Sequence, residues 1–200
     1  MLGALSPEAR ANELENYCMK HLSDSSYLYR IFYYDCLPTN QVIRHIYSKR
    51  DINCNESGIY SWMNAFINFL KAKRKFALRL GKLAQIHENV CHTLRPKVLK
   101  DLCNGTRQFS DLTEDDFVLS FVQKGVDMKI GIDIASLAYK KQVDRIVLIS
   151  GDSDFVPAAK LARREGIDFI LDPLFNQVSP DLIEHIDGLQ TCDRRFRPSK

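Results

Sequence analysis

Residues 117–171, FVLSFVQKGVDMKIGIDIASLAYKKQVDRIVLISGDSDFVPAAKLARREGIDFIL, decide the fold class of this chain. FVLSFV (117–122) has the apolar, β-branched composition of a strand. Lys124 and Gly125 turn the chain, and Asp127 stands where a helix begins. Ile130, Ile134, Leu137 and Ala138 then mark one helical face. RIVLI (145–149) is a continuous apolar run, as expected of a strand buried on both faces. Residues 150–154 form a turn, 155–165 a helix stopped by Gly166, and 168–171 another strand. Strand, helix, strand, helix, strand predicts a parallel sheet with right-handed crossovers. The fold class is α/β: a mainly parallel sheet flanked by helices, a three-layer sandwich. All strand C-termini then share one edge, and ligands bind outside that edge.

Working back toward the N-terminus, the elements follow local rules. Ser6-Pro7-Glu8 supplies a capping hydroxyl, a proline at the first helical position and an acid. Leu14, Tyr17, Cys18, His21 and Leu22 follow at helical spacing, so a helix ends near Leu22. YLYRIFYYD (27–35) is aromatic and β-branched and reads as a strand. Residues 41–58 are weakly patterned. Helices are predicted over 60–73 and 96–103 and after Ser179-Pro180, with a glycine-containing strand over 76–84. Without repeats or a low-complexity linker, residues 1–200 are read as one domain whose middle, 40–110, is the least patterned.

Composition limits the function class. The 200 residues are 45% hydrophobic and 26% charged, with a net charge of +3, ordinary values for a globular domain. Six cysteines are scattered without a Cys-x-x-Cys pair, which argues against a zinc site and for reduced thiols in a cytoplasmic protein. The opening MLGALSPEAR has neither a basic nor a long apolar segment, so neither a signal peptide nor a membrane span is expected.

Three stretches deliver aspartate to the expected sheet edge: YRIFYYD with Asp35, FVLSFVQKGVD with Asp127, and RIVLISGDSD with Asp152 and Asp154. Two carboxylates ~4 Å apart repel by about 4 kcal/mol at an effective dielectric near 20. Helix N-termini offset only ~0.3–1 kcal/mol each. A hard divalent cation, Mg²⁺ or Mn²⁺, is the natural remedy, and it can activate a water and clamp a phosphodiester. Each residue has a plainer reading beside this one. Aspartate caps helices and fills turns, so Asp127 is also a cap and Asp35 a strand terminator. Asp133 lies about 240° around the helix from Asp127, at about 100° per residue, and is read as supporting or solvated. Asp168 and Asp172 are read as structural.

Residues 123–166, with the blocks Lys124-Gly125-Val126-Asp127 and Ser150-Gly151-Asp152-Ser153-Asp154-Phe155, resemble the C-terminal half of an NYN domain of the LabA-like kind, in the PIN-like nuclease superfamily. YYDCLP, with Asp35, resembles the family's second strand. The resemblance implies a PIN-like, Rossmann-like sandwich with an Mg²⁺- or Mn²⁺-dependent site that cuts RNA. Family metal-site acids map onto Asp127, Asp152 and Asp154, with Asp35 a further candidate and Ser150, Ser153 and Lys124 in support. Such domains open with a strand ending in aspartate, then Gly and Asn. Only residues 1–5 precede the first helix here, so the expectation is a sheet lacking that strand, with Asp35 a partial substitute.

KAKRKFALRLGK (71–82) holds Lys71, Lys73, Arg74, Lys75, Arg79 and Lys82 and no acid. These residues, with the basic tail 194–200, suit a phosphate backbone. Tyr60, Trp62 and Phe76 offer stacking faces for single-stranded bases. The plainer reading is a solvated helix end and a loose tail. The five histidines form no motif. The leading function is a metal-dependent ribonuclease acting on single-stranded RNA, with room for a homo-oligomer. The alternative is a non-catalytic RNA- or protein-binding module. A different Mg²⁺ phosphoryl-transfer enzyme is a third reading, weakened because neither an early nucleophilic aspartate motif nor a preceding strand glutamate is found.

Overall fold

The computed structural model describes residues 5–83 and 92–193. Helix α1 (Pro7–Met19) starts as its sequence requires, with the Ser6 hydroxyl accepting from the Ala9 amide at 3.2 Å. Strand β1 (Ile31–Cys36) follows, then a hairpin, β2 (Val42–Arg44) against β3 (Asp51–Asn53). Helix α2 (Gly58–Ala72) is capped by Ser57 and leads into β4 (Phe76–Leu83). After β5 (His92–Leu94) and α3 (Pro96–Cys103), two 3-10 turns precede β6 (Phe117–Leu119) and β7 (Gln123–Lys124). The remainder is α4 (Val126–Tyr139), β8 (Arg145–Ile149), a 3-10 turn at Ser153–Phe155, α5 (Val156–Arg164), β9 (Asp168–Asp172), α6 (Pro180–Ile183) and β10 (Gly188–Leu189). No helix among the described residues is long and apolar enough to cross a membrane.

The fold is α/β, and its main strand pairs are parallel, as the alternating pattern predicts. The strands nevertheless fall into separate sheets. One has the order β1-β4-β7, with β1 and β4 parallel; another has the order β10-β9-β8, all parallel. Among the described residues no strand pairs with the second edge of β1 or of β8.

The expectation for FVLSFV needs correction. It is not a parallel strand leading to Asp127. Residues 117–119 pair antiparallel with β5, and Lys124 pairs antiparallel with Lys82 at the end of β4. The physical reason is that an apolar composition marks a strand but neither its partner nor its direction. β6 and β7 pair with different strands, each distant in sequence, and among the described residues neither pairs with β1 or β8. The first strand also starts later than Tyr27. Ile31 is the first residue opposite β4, and the Tyr27 ring instead lies 3.7 Å from the Lys75 ammonium. The weakly patterned 41–58 holds the β2–β3 hairpin, whose short strands are mostly exposed and therefore show little periodicity. Ala84, the last residue of the strand expected over 76–84, lies outside the described residues.

Two apolar cores position the rest. Ala11, Phe66, Ile67 and Leu70 join α1 and α2 over one face of β1 and β4. Ile130, Ile134, Ala138, Leu148, Phe155, Ala159, Phe169, Leu171 and Leu182 form the second core, between α4, α5 and the β8–β9 sheet. Tyr34 of β1 packs against this second core. Asp172, fully buried at the end of β9, accepts from the Tyr17 hydroxyl and from His21 Nε2 at 2.9 Å, tying the end of α1 to the second core.

Candidate active site

Asp127 occupies the first turn of α4. Two residues ahead, Gly125 adopts φ 80°, a left-handed conformation that glycine reaches without steric cost. This kink turns the chain from β7 into α4. Gly81 makes the approach of that turn to the sheet feasible. A Cβ there would lie 2.8 Å from the Lys124 carbonyl oxygen and 2.8 Å from Val126 Cγ2. Asp127 is exposed.

Asp152 and Asp154 follow β8. Asp152 is the N-cap of the Ser153–Phe155 turn, and its Oδ1 accepts from the Asp154 amide at 3.0 Å. The Asp152 amide in turn donates to the Ser150 hydroxyl at 3.3 Å. Ser150 thus helps shape the turn, while Ser153 is exposed. Phe155, buried directly after the acids, anchors the turn in the core that Val126 also packs against. The turn itself packs on α4. The two acidic blocks are therefore attached to one core.

Asp35 is held by its own strand. Its Oδ1 accepts from the Cys36 amide at 2.7 Å and its Oδ2 from the Tyr33 hydroxyl at 2.7 Å. Burial, then the hydrogen bond to Asp35, pushes the Tyr33 hydroxyl well above its ordinary range, so it stays a donor. Asp133 is neither solvated nor spare. Its Oδ2 accepts from the Tyr34 hydroxyl at 2.9 Å and from Arg79 Nε at 2.8 Å, pinning α4 to β1 and β4.

The donor set suits a hard divalent cation in kind, being carboxylate oxygen throughout. In arrangement it is open. Among the described residues, one trio of candidate ligands has donor atoms within 4.8 Å of one another, and it is Asp181, Glu184 and His185, beside α6. Asp35, Asp127, Asp152 and Asp154 are not drawn together to that degree. The Asp181 trio escaped the sequence reading, although its i, i+3, i+4 spacing was visible. Its carboxylates are exposed and it acquires no role from proximity alone. The glycine in the 76–84 strand was expected but its packing role was missed, although a glycine inside a strand marks close backbone approach.

The basic segment divides. Lys73 bonds Glu15 at 2.6 Å and Asn12 at 2.7 Å; Lys75 bonds the Leu28 carbonyl; Arg79 is committed to Asp133. Lys71, Arg74 and Lys82 are exposed. Lys82 stands directly opposite Lys124 across the β4–β7 ladder, three residues from Asp127 along the chain. Like charges so placed are unfavourable unless an anion lies near. The basic tail 194–200 lies outside the described residues.

No curated protein and no solved structure matches the chain. The NYN domain family model matches residues 41–187, which takes in both acidic blocks and the weakly patterned middle and leaves Asp35 outside. With most of its length matched, the chain belongs to the NYN domain family, a family of PIN-like nucleases.

Proposed function

We propose that the chain is a metal-dependent ribonuclease acting on single-stranded RNA, with Asp127, Asp152 and Asp154 as the residues that hold Mg²⁺ or Mn²⁺. The observation that carries this reading is the placement of both acidic blocks inside the family match, each at the start of a helical segment anchored in one core. When bound, the ion supplies Lewis-acid stabilisation of the phosphodiester oxygens.

The chain's own groups do the rest of the positioning. Asp152 holds the 152–154 turn through the Asp154 amide, which fixes where both carboxylates leave the backbone. Gly81 and Gly125 set the entry of α4 and with it Asp127. Lys82 on β4 and Lys124 on β7 form a cationic pair across the ladder beside the segment leading to Asp127, suited to an RNA phosphate. Lys71 and Arg74 are solvent-facing cations at the end of α2 that can extend the track. Asp35 supports from β1.

Cleavage of a single-stranded RNA oligomer with Mn²⁺ tests this. Asp152→Asn should lower the rate by about a hundredfold or more, the scale for removing one preorganised electrostatic group from an active site, with the thermal unfolding midpoint unchanged. Equal cleavage by the variant removes these carboxylates from the mechanism.

A second reading, a non-catalytic RNA- or protein-binding module, is favoured by the open arrangement of the acids. It predicts RNA binding by the parent chain without metal-dependent cleavage, and binding that Asp152→Asn leaves intact.

A further inference from the structure

Helix α4 has two apolar faces, and among the described residues only one of them is covered. Ile130, Ile134, Leu137 and Ala138 are buried. Met128, Ile132 and Tyr139 are 72%, 60% and 58% exposed. With Ala135 they recur at spacings of four, three and four residues, a straight stripe along the helix and the a/d seam of a helix pair. Isolated exposed apolar side chains are ordinary, but an aligned row of them on one helix is not.

We propose that this stripe is the seam of a symmetric homodimer, in which α4 packs antiparallel on α4 of a second copy. The inference does not rest on the nuclease reading. The stripe is arranged for its own copy. It is symmetric about the point between Asp133 and Ile134, from which Met128 and Tyr139 are equally distant, as are Ile132 and Ala135. A two-fold axis there sets each Met128 against Tyr139 of the other copy and each Ile132 against its Ala135. Large side chains meet small ones at the centre, and a thioether meets an aromatic ring at each end, a favourable contact. Gly131 lies beside the stripe with nothing within 4 Å of a built Cβ, so a second helix can approach the backbone closely. The exposed parts of Met128, Ile132 and Tyr139 amount to roughly 400 Å² per copy, the size of a typical monomer's largest apolar patch, which is often functional. Two such faces bury roughly 800 Å² of apolar surface, and the flanking helix surface must supply the remaining third of the ~1,200 Å² at the low end of specific dimers.

Sedimentation velocity on the full chain from about 1 to 100 µM covers the affinity range of such an interface. The parent chain should shift from monomer to dimer with rising concentration. Ile132→Glu should stay monomeric throughout, an association weakened by about a hundredfold or more, with unchanged circular dichroism. Should that variant lose its fold, Tyr139→Lys, on a side chain that is mostly in solvent, gives the same readout. A monomeric parent chain at every concentration overturns the proposal, and so does a dimer that both variants preserve. Orientation is read by oxidative cross-linking of Met128→Cys with Tyr139→Cys, against the parent chain as background. Linkage only in the mixed sample is expected; linkage of each variant to itself means a parallel pair and overturns it.

Discussion

Gly81 lies directly beneath Val126. A Cβ at position 81 would come within 2.8 Å of Val126 Cγ2, 2.8 Å of the Lys124 carbonyl oxygen and 2.9 Å of Cys36 Sγ. Two of these neighbours belong to the turn that introduces Asp127, and the third ends β1 beside Asp35. One missing methyl group therefore sets the distance between the first acidic block and the sheet.

Gly81→Ala should therefore cost about 1–3 kcal/mol, the usual scale of overpacking. The Lys124 oxygen is backbone and cannot rotate away, so relief requires moving β7 and the start of α4. Urea unfolding measures the stability loss. Mn²⁺-dependent cleavage should fall further than the fraction unfolded explains, because the displaced element carries Asp127. A variant as stable and as active as the parent would show that the contact gives way freely.

Asp133 gives a second test. Tyr34 and Arg79 both donate to its Oδ2, and the Tyr34 hydroxyl is pushed up in pKa, first by burial and then by this bond. Asp133→Ala strands a part-buried hydroxyl and should cost about 1–3 kcal/mol. Arg79→Ala removes a partner whose side chain is 39% exposed and should cost less, within ~1 kcal/mol. A double-mutant cycle between Tyr34→Phe and Asp133→Ala should show coupling, and its absence would mean α4 is held by apolar contact alone.

How much of this was legible in sequence depends on whether the signal is local. Ser6 and Ser57 cap helices through their own hydroxyls, and RIVLI advertises a buried strand by composition, so these elements fall where the residues say. The role of Asp133 could not be read from its helical angle, because its partners Tyr34 and Arg79 lie 99 and 54 residues away. The failure of FVLSFV was one of partner choice. An apolar run specifies a strand, not its direction or partner, and the partners β5 and β4 lie far back along the chain, so the pairing is tertiary. For the site, the sequence placed Asp152 and Asp154 in one turn, which is local, but the separation between that turn and Asp127 is tertiary. Reading Asp172 as structural held because its carboxylate is fully buried and bonded to groups from α1 and from the segment after β10, whereas Asp168 in the same strand is partly exposed and pairs with Arg145.

Asp172 accepts four hydrogen bonds: from Tyr17, from His21, from Thr191 Oγ1 at 2.8 Å and from the Leu174 amide at 2.9 Å. It joins α1, β9 and the segment after β10. Asp172→Asn replaces one acceptor oxygen with a donor nitrogen amid donors. The loss should be about 3 kcal/mol or more, the scale of breaking a buried charged network, which lowers the melting temperature by roughly 6–12 °C in a chain of this size. Differential scanning calorimetry measures it. Tyr17→Phe, which removes one donor and leaves the carboxylate three, should cost less.

His92 predicts how stability follows pH. Its ring meets His45 edge-on at 4.8 Å, and its Nε2 accepts from the Ile46 amide at 3.4 Å, joining β5 to the β2–β3 hairpin. His45 Nδ1 accepts from the Tyr47 and Ser48 amides at 3.2 Å each, which closes the hairpin tip. Burial, then the neighbouring His45, lowers the His92 pKa below its ordinary 6.5. The unfolded chain therefore binds a proton at higher pH than the fold does. This contribution is fully present above pH 6.5 and is lost as pH falls from there through the depressed folded value. Protonation would also remove the acceptor that holds Ile46. Urea midpoints between pH 8 and 5 should thus decline on the acid side in the parent chain. His92→Gln, which keeps an amide acceptor and cannot titrate, should flatten that part of the profile. An identical decline in the variant would assign the pH dependence to other groups.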